Sequence, residues 1–220
     1  MFLVTTADER TWKKDEPILF LGEWCKLYSR RSVWSGLPCD TLPYHWDDRK
    51  KFYEDYKYLS TVYEEYLLVL SEILNRIHGS DHSVRYWRIV IGPWLRYFMD
   101  SIFDRYCSIK SAASSGRVSS TWLMESDLQE WIPKDFKTFY TNFTGDQWNH
   151  LVYGEIIRSI EGIPSESINE RNRPPNHYNK RRELPLQNRI RNRILNLYSA
   201  LTPDSLNRVV IISGYFAELR

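Results

Sequence analysis

The most chemically dense stretch of the sequence is HWDDR, residues 45–49, which places an imidazole, an indole, two carboxylates and a guanidinium side by side. A histidine next to a carboxylate can act as a general base. The stretch also precedes a helical pattern, where Asp47 or Asp48 would be a good N-cap. A cap explains one aspartate, but cations from Arg49 onward oppose the helix dipole and would be relieved by an anion. The HWDDR stretch can therefore be interpreted either as a helix cap or as half of a ligand site.

Two further stretches carry groups that could do chemistry. Glu23 and Trp24 directly follow an apolar run, so the carboxylate could bind sugar hydroxyls or act as a base, or be a solvated loop acid. The stretch SVRYWRIVIGPWLRYF, residues 83–98, combines arginines with tryptophans. Its arginines could bind an anion, or their stems could lie across aromatic rings in helix packing.

These stretches define the candidate site. The candidate catalytic residues are His45, Glu23 and Asp47. The candidate substrate-binding residues are Trp24, Asp48, Arg49, Trp87, Arg88, Trp94 and Arg96. A single site requires side chains from all three stretches to converge on one cleft, above all His45, Glu23, Arg88 and Arg96. No metal site is predicted, because the three cysteines form no CxxC pair.

The elements that must position these residues follow from the apolar periodicity. Continuous apolar runs at residues 2–5 and 18–21 predict buried parallel strands, and residues 41–44 predict a third. Apolar residues at alternating steps of three and four predict one long amphipathic helix from about Asp48 to His78, closed by Gly79. Gly92-Pro93 predicts a break between helices at 83–90 and 93–110.

The rest of the pattern alternates strands and helices. A strand is predicted within residues 117–124, short helices at 127–131 and 134–140, and a clearer helix at 146–160. This alternation predicts an α/β fold with a mainly parallel sheet flanked by helices. In such sheets ligands bind beyond the carboxyl ends of the strands, where the stretches around Glu23 and His45 would both fall.

Three regions are predicted along the chain. Residues 1–162 form the α/β core domain, and 163–186, with four prolines, form an irregular basic linker or loop. Residues 187–220 hold a helix and a strand that complete the domain or lead to a missing C-terminal domain. The segment 171–193 has eight basic residues and one acid, so its role as a solvated loop, a nucleic-acid contact or a membrane-surface contact is open.

Composition limits the function classes. The chain as a whole is not expected to bind polyanions, because its net charge is only +2. The sequence contains no RNA-binding fingerprint, so no specific nucleic-acid partner is predicted. Aromatic residues make up 15%, which fits an aromatic core, a protein interface, or stacking on sugars or bases. The sequence shows no signal-peptide pattern and no run long enough to span a membrane. We therefore expect a cytoplasmic protein, with peripheral contact to the inner membrane surface as a further expectation.

Several stretches carry a family resemblance: FLVTTADERTW, ILFLGEWCKLYSR, LPYHWDDRKK, LNRIHG, SVRYWRIVIGPWL and VVIISGYF. Together they resemble a family of bacterial transferases encoded among surface-carbohydrate genes, which are similar to two-domain GT-B-like glycosyltransferases. The resemblance implies that this chain is the Rossmann-like, acceptor-side N-terminal half of a longer protein, inactive alone. It also implies a sugar-nucleotide donor, a glycan acceptor, and neither a metal nor another cofactor.

The implied function is therefore transfer of a sugar in bacterial surface polysaccharide biosynthesis. One alternative is a non-catalytic α/β module that binds a glycan or a partner protein through its aromatic residues. Another is nucleic-acid binding through residues 171–193, which would show a steep salt dependence.

Overall fold

A computed structural model describes residues 1–125 and 131–168. The predicted helix at 127–131, apart from Trp131, lies outside these ranges, and so do the basic segment 171–193 and the predicted helix and strand of 187–220. The division of the chain into a core, a linker and a C-terminal region therefore stays a prediction.

The centre of the fold is a parallel sheet of three short strands, β1 (Phe2–Val4), β2 (Ile18–Phe20) and β3 (Cys39–Thr41), with β2 in the middle. Every residue of β1 and β2 is buried, which explains why their sequences are continuously apolar. β3 begins two residues before the predicted start and has no apolar run. It is an edge strand, and its first two residues are exposed.

Two further strands extend the sheet on the other side of β1. β4 (Thr121–Met124) pairs in parallel with β5 (Ser165–Ile168). The Leu3 amide donates to the Ser120 carbonyl over 2.8 Å, within an isolated parallel bridge between Phe2 and Ser120. The strand order across both pieces is therefore β3-β2-β1-β4-β5, all parallel. β5 also shows that the segment predicted as an irregular linker starts with a strand.

Most of the regular structure within residues 1–125 and 131–168 is helical. The helices are α1 (Arg31–Trp34), α2 (Arg49–His78), α3 (Val84–Ser114), α4 (Phe136–Phe143) and α5 (Asp146–Ser159). Short 3-10 turns occupy Glu9–Thr11, Glu23–Cys25 and Tyr28–Arg30. The protein is thus an α/β fold with small parallel sheets and mostly helical content.

The long helix is confirmed with the predicted ends. The Asp48 carboxylate accepts from the amides of Lys50 and Lys51, and Gly79 ends α2 with a φ of 59°. This left-handed conformation favours glycine because it has no Cβ. Asp48 is therefore the N-cap that the sequence offered as one of two interpretations.

The predicted break at Gly92-Pro93 is wrong, because α3 runs through both residues. Proline removes one amide from the helix, so packing against α2 has to outweigh that loss. Gly92 makes close packing possible there: a Cβ at this position would lie 2.6 Å from the Tyr63 hydroxyl of α2. The two long helices form an antiparallel hairpin, and the close contact joins the middle of α2 to the first third of α3.

The hairpin buries only part of the apolar stripe of α2. Leu59 and Leu67 are buried, whereas Tyr66, Ile73 and Ile77 are exposed. Within the described ranges α2 packs mainly against α3, and a single partner helix covers a narrow stripe. No helix in these ranges is long and apolar enough to cross a membrane.

The main core lies between the sheet and the helices α3 and α5. Ile109 and Ala112 of α3 and Ile157 of α5 join the buried residues of β1 and β2. Cys25 is fully buried in this core, and burial raises the pKa of its thiol to about 12. The three cysteines are free, and Cys39 is exposed on β3.

The hairpin offers a matched test of its packing. Leu67 is 0% exposed and its neighbour Leu68 is 51% exposed. We expect Leu67→Ala to lower the free energy of unfolding by about 2–5 kcal/mol, because it leaves a cavity between α2 and α3. Leu68→Ala should change it by less than about 0.5 kcal/mol. Denaturant unfolding of both variants checks this, and equal losses would contradict the hairpin.

Candidate functional site

A cleft of about 880 Å³ opens at the carboxyl ends of the three-stranded sheet. The segments that follow β1, β2 and β3 form one side, lined by Thr6, Glu23, Trp24, Leu42, Tyr44 and Asp47. Helix α3, the end of α4 and the start of α5 form the other, lined by Asp104, Arg105, Phe143, Asp146, Asn149 and Tyr153. The position agrees with the general rule for parallel sheets.

Asp104 connects the two sides of the cleft. Its Oδ1 accepts from the Tyr44 hydroxyl over 2.7 Å and lies 3.0 Å from His45 Nε2. Its Oδ2 accepts from the Arg105 guanidinium over 3.2 Å. Burial, followed by the hydrogen bond to Asp104, raises the pKa of Tyr44, so this phenol stays protonated as a donor. These bonds fix the segment after β3 against α3.

His45 lies behind the cleft wall. Its side chain is 6% exposed and faces Asp104, and it does not line the cleft. Trp46 points to α2, where its indole N–H donates to Asp55 Oδ2 over 2.9 Å. The HWDDR stretch therefore fastens the segment after β3 to both helices of the hairpin, and Asp47 is its one member in the cleft lining. Arg49 is exposed in the first turn of α2, outside the cleft.

Glu23 and Trp24 lie in the cleft lining, as the sequence predicted for a strand-end turn. The Glu23 side chain is 78% exposed at the rim and pairs with Lys26 over 2.8 Å. The Trp24 indole donates to the Thr5 carbonyl over 3.1 Å and meets the Tyr44 ring edge-on. Gly22 makes room for this indole, since a Cβ there would lie 2.1 Å from the ring.

Asp146 is a cleft acid whose surroundings shift its pKa. It is the first residue of α5, and its Oδ1 accepts from the Ala7 amide over 3.1 Å. Burial raises its pKa, the Ala7 hydrogen bond lowers it, and nearby Asp8 adds to the increase. A cleft carboxyl with a raised pKa binds a proton more readily than an ordinary aspartate does, which suits a group that takes a proton from a substrate.

The predicted arginines and two tryptophans lie elsewhere, on the helical hairpin. Arg88 makes a bidentate pair with Glu64 at 2.6 Å, and Arg96 bonds Asp100 at 2.8 Å. Both line a separate groove of about 420 Å³ between α2 and α3, which shares no lining residue with the cleft. The predicted meeting of His45, Glu23, Arg88 and Arg96 at one cleft therefore does not occur.

The tryptophans of that stretch serve as packing residues. Trp87 is buried, and its indole donates to Asn75 Oδ1 over 2.9 Å at the end of the hairpin. Trp94 stacks on Phe98 with ring centroids 5.3 Å apart. The sequence was also compatible with a role for these residues in helix packing, and their contacts favour that role.

Sequence reasoning missed the cleft residues on α3 and α5, which are Asp104, Arg105, Asp146, Asn149 and Tyr153. In the sequence, adjacent Asp104 and Arg105 are compatible with a simple surface pair, and Asp146 only begins the helix predicted at 146–160. Asp146 starts a helix that follows α4 and not a strand, so the strand-end rule that pointed to Glu23 could not have found it.

A model of the LIC12162 family transferases matches residues 1–220. The chain belongs to the LIC12162 transferase family. No curated protein and no solved structure matches it. Family membership thus gives the reaction class, group transfer, while the donor and acceptor must be inferred from the cleft. Within the described ranges, this transferase has no group of three or more His, Cys, Asp or Glu side chains arranged to hold a metal ion.

The first test of this transferase's cleft concerns the wall around Trp24. We expect Gly22→Ala to lower the free energy of unfolding by about 1–3 kcal/mol, because the new methyl group displaces a ring held by Thr5 and Tyr44. Gly36→Ala is the matched control, since nothing lies within 4 Å of a Cβ there. Chemical denaturation measures both variants, and a stable Gly22→Ala protein would show that the indole is not held in place.

The second test uses the pKa of Asp146. A carboxyl with a raised folded-state pKa destabilises the fold progressively as pH rises from its unfolded pKa through its folded pKa. Asp146→Asn removes that penalty and keeps an oxygen for the Ala7 amide. The variant should melt up to about 3 °C higher than the parent at about pH 8. This advantage should shrink as the pH falls toward the pKa of an unfolded aspartate, about 3.9. A gain independent of pH would contradict burial as the cause.

Proposed function

We propose that this transferase is a glycosyltransferase that acts in bacterial surface polysaccharide biosynthesis, and that this chain is its acceptor-side half. The strand order β3-β2-β1-β4-β5 supports a Rossmann-like half, because doubly wound nucleotide-binding sheets use this order. The cleft lies at the carboxyl edge of the sheet, where such folds bind ligands.

The lining of the cleft suits a hydroxyl-rich acceptor. Trp24 and Tyr44 provide flat apolar surfaces next to carboxylates. Aromatic rings pack against the C–H faces of sugars, while carboxylates accept from their hydroxyls. The sugar nucleotide, the glycan acceptor, the cytoplasmic location and contact with the inner membrane surface all belong to this proposal.

Asp146 carries the proposal mechanistically, because it is a cleft carboxyl whose raised pKa suits a general base. Its carboxylate accepts the proton of the acceptor hydroxyl while the hydroxyl oxygen forms a bond to the anomeric carbon of the donor. The bond from that carbon to the nucleoside diphosphate breaks, and the diphosphate leaves with the electron pair. Asp146 then loses the proton to water.

The leaving diphosphate needs positive charge, which this cleft offers poorly. Arg105 already bonds Asn149 Oδ1 over 2.8 Å and the Phe143 carbonyl over 3.2 Å. We therefore assign the stabilisation of the leaving group to the donor-side half of the protein. Glu23 and His45 remain alternative bases, although Glu23 is at the exposed rim and His45 lies behind Asp104.

The test is turnover by the whole encoded protein, measured as release of nucleoside diphosphate from a panel of sugar nucleotides with glycan acceptors. Asp146→Asn should lower kcat by about 100-fold or more, because it removes the proton acceptor and keeps the shape. The surface control Asp81→Asn should stay within about twofold of the parent, because its charge lies on the turn between α2 and α3 and not in the cleft. Glu23→Gln tests the alternative base, and a loss of kcat there as large as that of Asp146→Asn would count against Asp146 as the proton acceptor. Glycan binding without any turnover would favour the non-catalytic module instead.

A further inference from the structure

The charges of the cleft are strongly unbalanced. Four carboxylates line it, those of Glu23, Asp47, Asp104 and Asp146. Arg105 is the one cationic residue in the lining that the structure describes. A ligand that enters this cleft therefore meets an excess of negative charge. Binding an uncharged sugar does not require such an excess.

Arg105 cannot offset this excess for an acidic ligand, because its guanidinium is committed to the protein. Its Nε donates to Asn149 Oδ1, and its two terminal nitrogens donate to the carbonyls of Ser101 and Phe143 and to Asp104. Its side chain is only 14% exposed. A carboxylate or phosphate on a ligand would have to break these bonds in order to gain a cationic partner.

Two of the four carboxylates are available to a ligand. Asp104 is satisfied by Tyr44, His45 and Arg105, and Glu23 pairs with Lys26. Neither Asp47 nor Asp146 has an ion-pair partner within residues 1–125 and 131–168, and the one side-chain bond of Asp146 is to a backbone amide. Both lie in the wall of the cleft and can accept from an ammonium group as well as from hydroxyls.

We propose that the cleft selects its acceptor by charge: it binds an amine-bearing sugar more tightly than the uncharged parent, and it excludes the corresponding sugar acid. This inference rests on the proposed function, because it names the substrate class of the same cleft. The ammonium group would pair with Asp47 or with Asp146, whereas a carboxylate would enter a site of like charge with no free cation.

A matched set of three probes tests the ranking with the full chain. Methyl glucoside, methyl 6-amino-6-deoxyglucoside and methyl glucuronide differ at one carbon and carry no charge, one positive charge and one negative charge. Affinities are measured by ligand-detected NMR titration at neutral pH and low salt, and Trp24→Ala reports whether binding takes place in the cleft. The amino sugar should bind about fivefold or more tightly than the glucoside, and the glucuronide should bind more weakly than both.

The carboxylates are tested with isosteric variants. Asp47→Asn and Asp146→Asn should each reduce the preference for the amino sugar, and the double variant should abolish it, while Asp81→Asn on the hairpin turn should leave it unchanged. Added salt should reduce the differences in affinity among the three probes, because it screens the charges.

The outcomes separate the two proposals. Binding of all three probes in the cleft with equal affinity, or with the glucuronide strongest, overturns the charge selection and leaves the proposed function intact. Failure of every probe to bind, or binding that Trp24→Ala does not affect, overturns both, because the cleft would then not be a sugar site.

Discussion

The Asp104 carboxylate is the group on which the candidate site depends most. The segment after β3 is held to the helical hairpin by its bonds with Tyr44 and His45, while Arg105 neutralises it from its own helix. Asp104 is partly buried, and withdrawing a carboxylate from water is costly unless its oxygens are satisfied; here three side chains satisfy them. Without the bonds of Asp104, Tyr44 and Asp47 would no longer have a fixed position opposite α5, and the cleft would lose its shape.

The parts of the fold that the sequence predicted well are those with a local cause. β1 and β2 are buried on both faces, so their apolar runs are unmistakable. The ends of α2 follow from the Asp48 cap and from Gly79, which are both short-range signals. The bounds of β3 were predicted wrongly because an exposed edge strand has no apolar pattern. The helix break at Pro93 was predicted wrongly because the packing of α3 against α2 is a tertiary effect, which the periodicity of the sequence does not show.

The candidate site was predictable only where it coincides with strand ends. Glu23, Trp24 and Asp47 follow β2 and β3 in sequence, and they do line the cleft. Asp104 and Asp146 come from helices far along the chain, and their approach to the sheet depends on how the hairpin and α5 pack. Arg88 and Arg96 were attractive because guanidinium groups bind phosphates, but Glu64 and Asp100 already bind them on the hairpin.

The unequal burial of the thiols has a practical consequence for observing this cleft. Cys25 keeps its proton until strongly alkaline pH, and burial also raises the pKa of Cys107, so neither readily forms the thiolate that alkylating reagents attack. Cys39 stands exposed two residues before Thr41, which lines the cleft. A maleimide dye should therefore attach selectively to Cys39, about 7 Å along the strand from Thr41 at the rim of the cleft. Its emission would report ligand entry without any engineered cysteine.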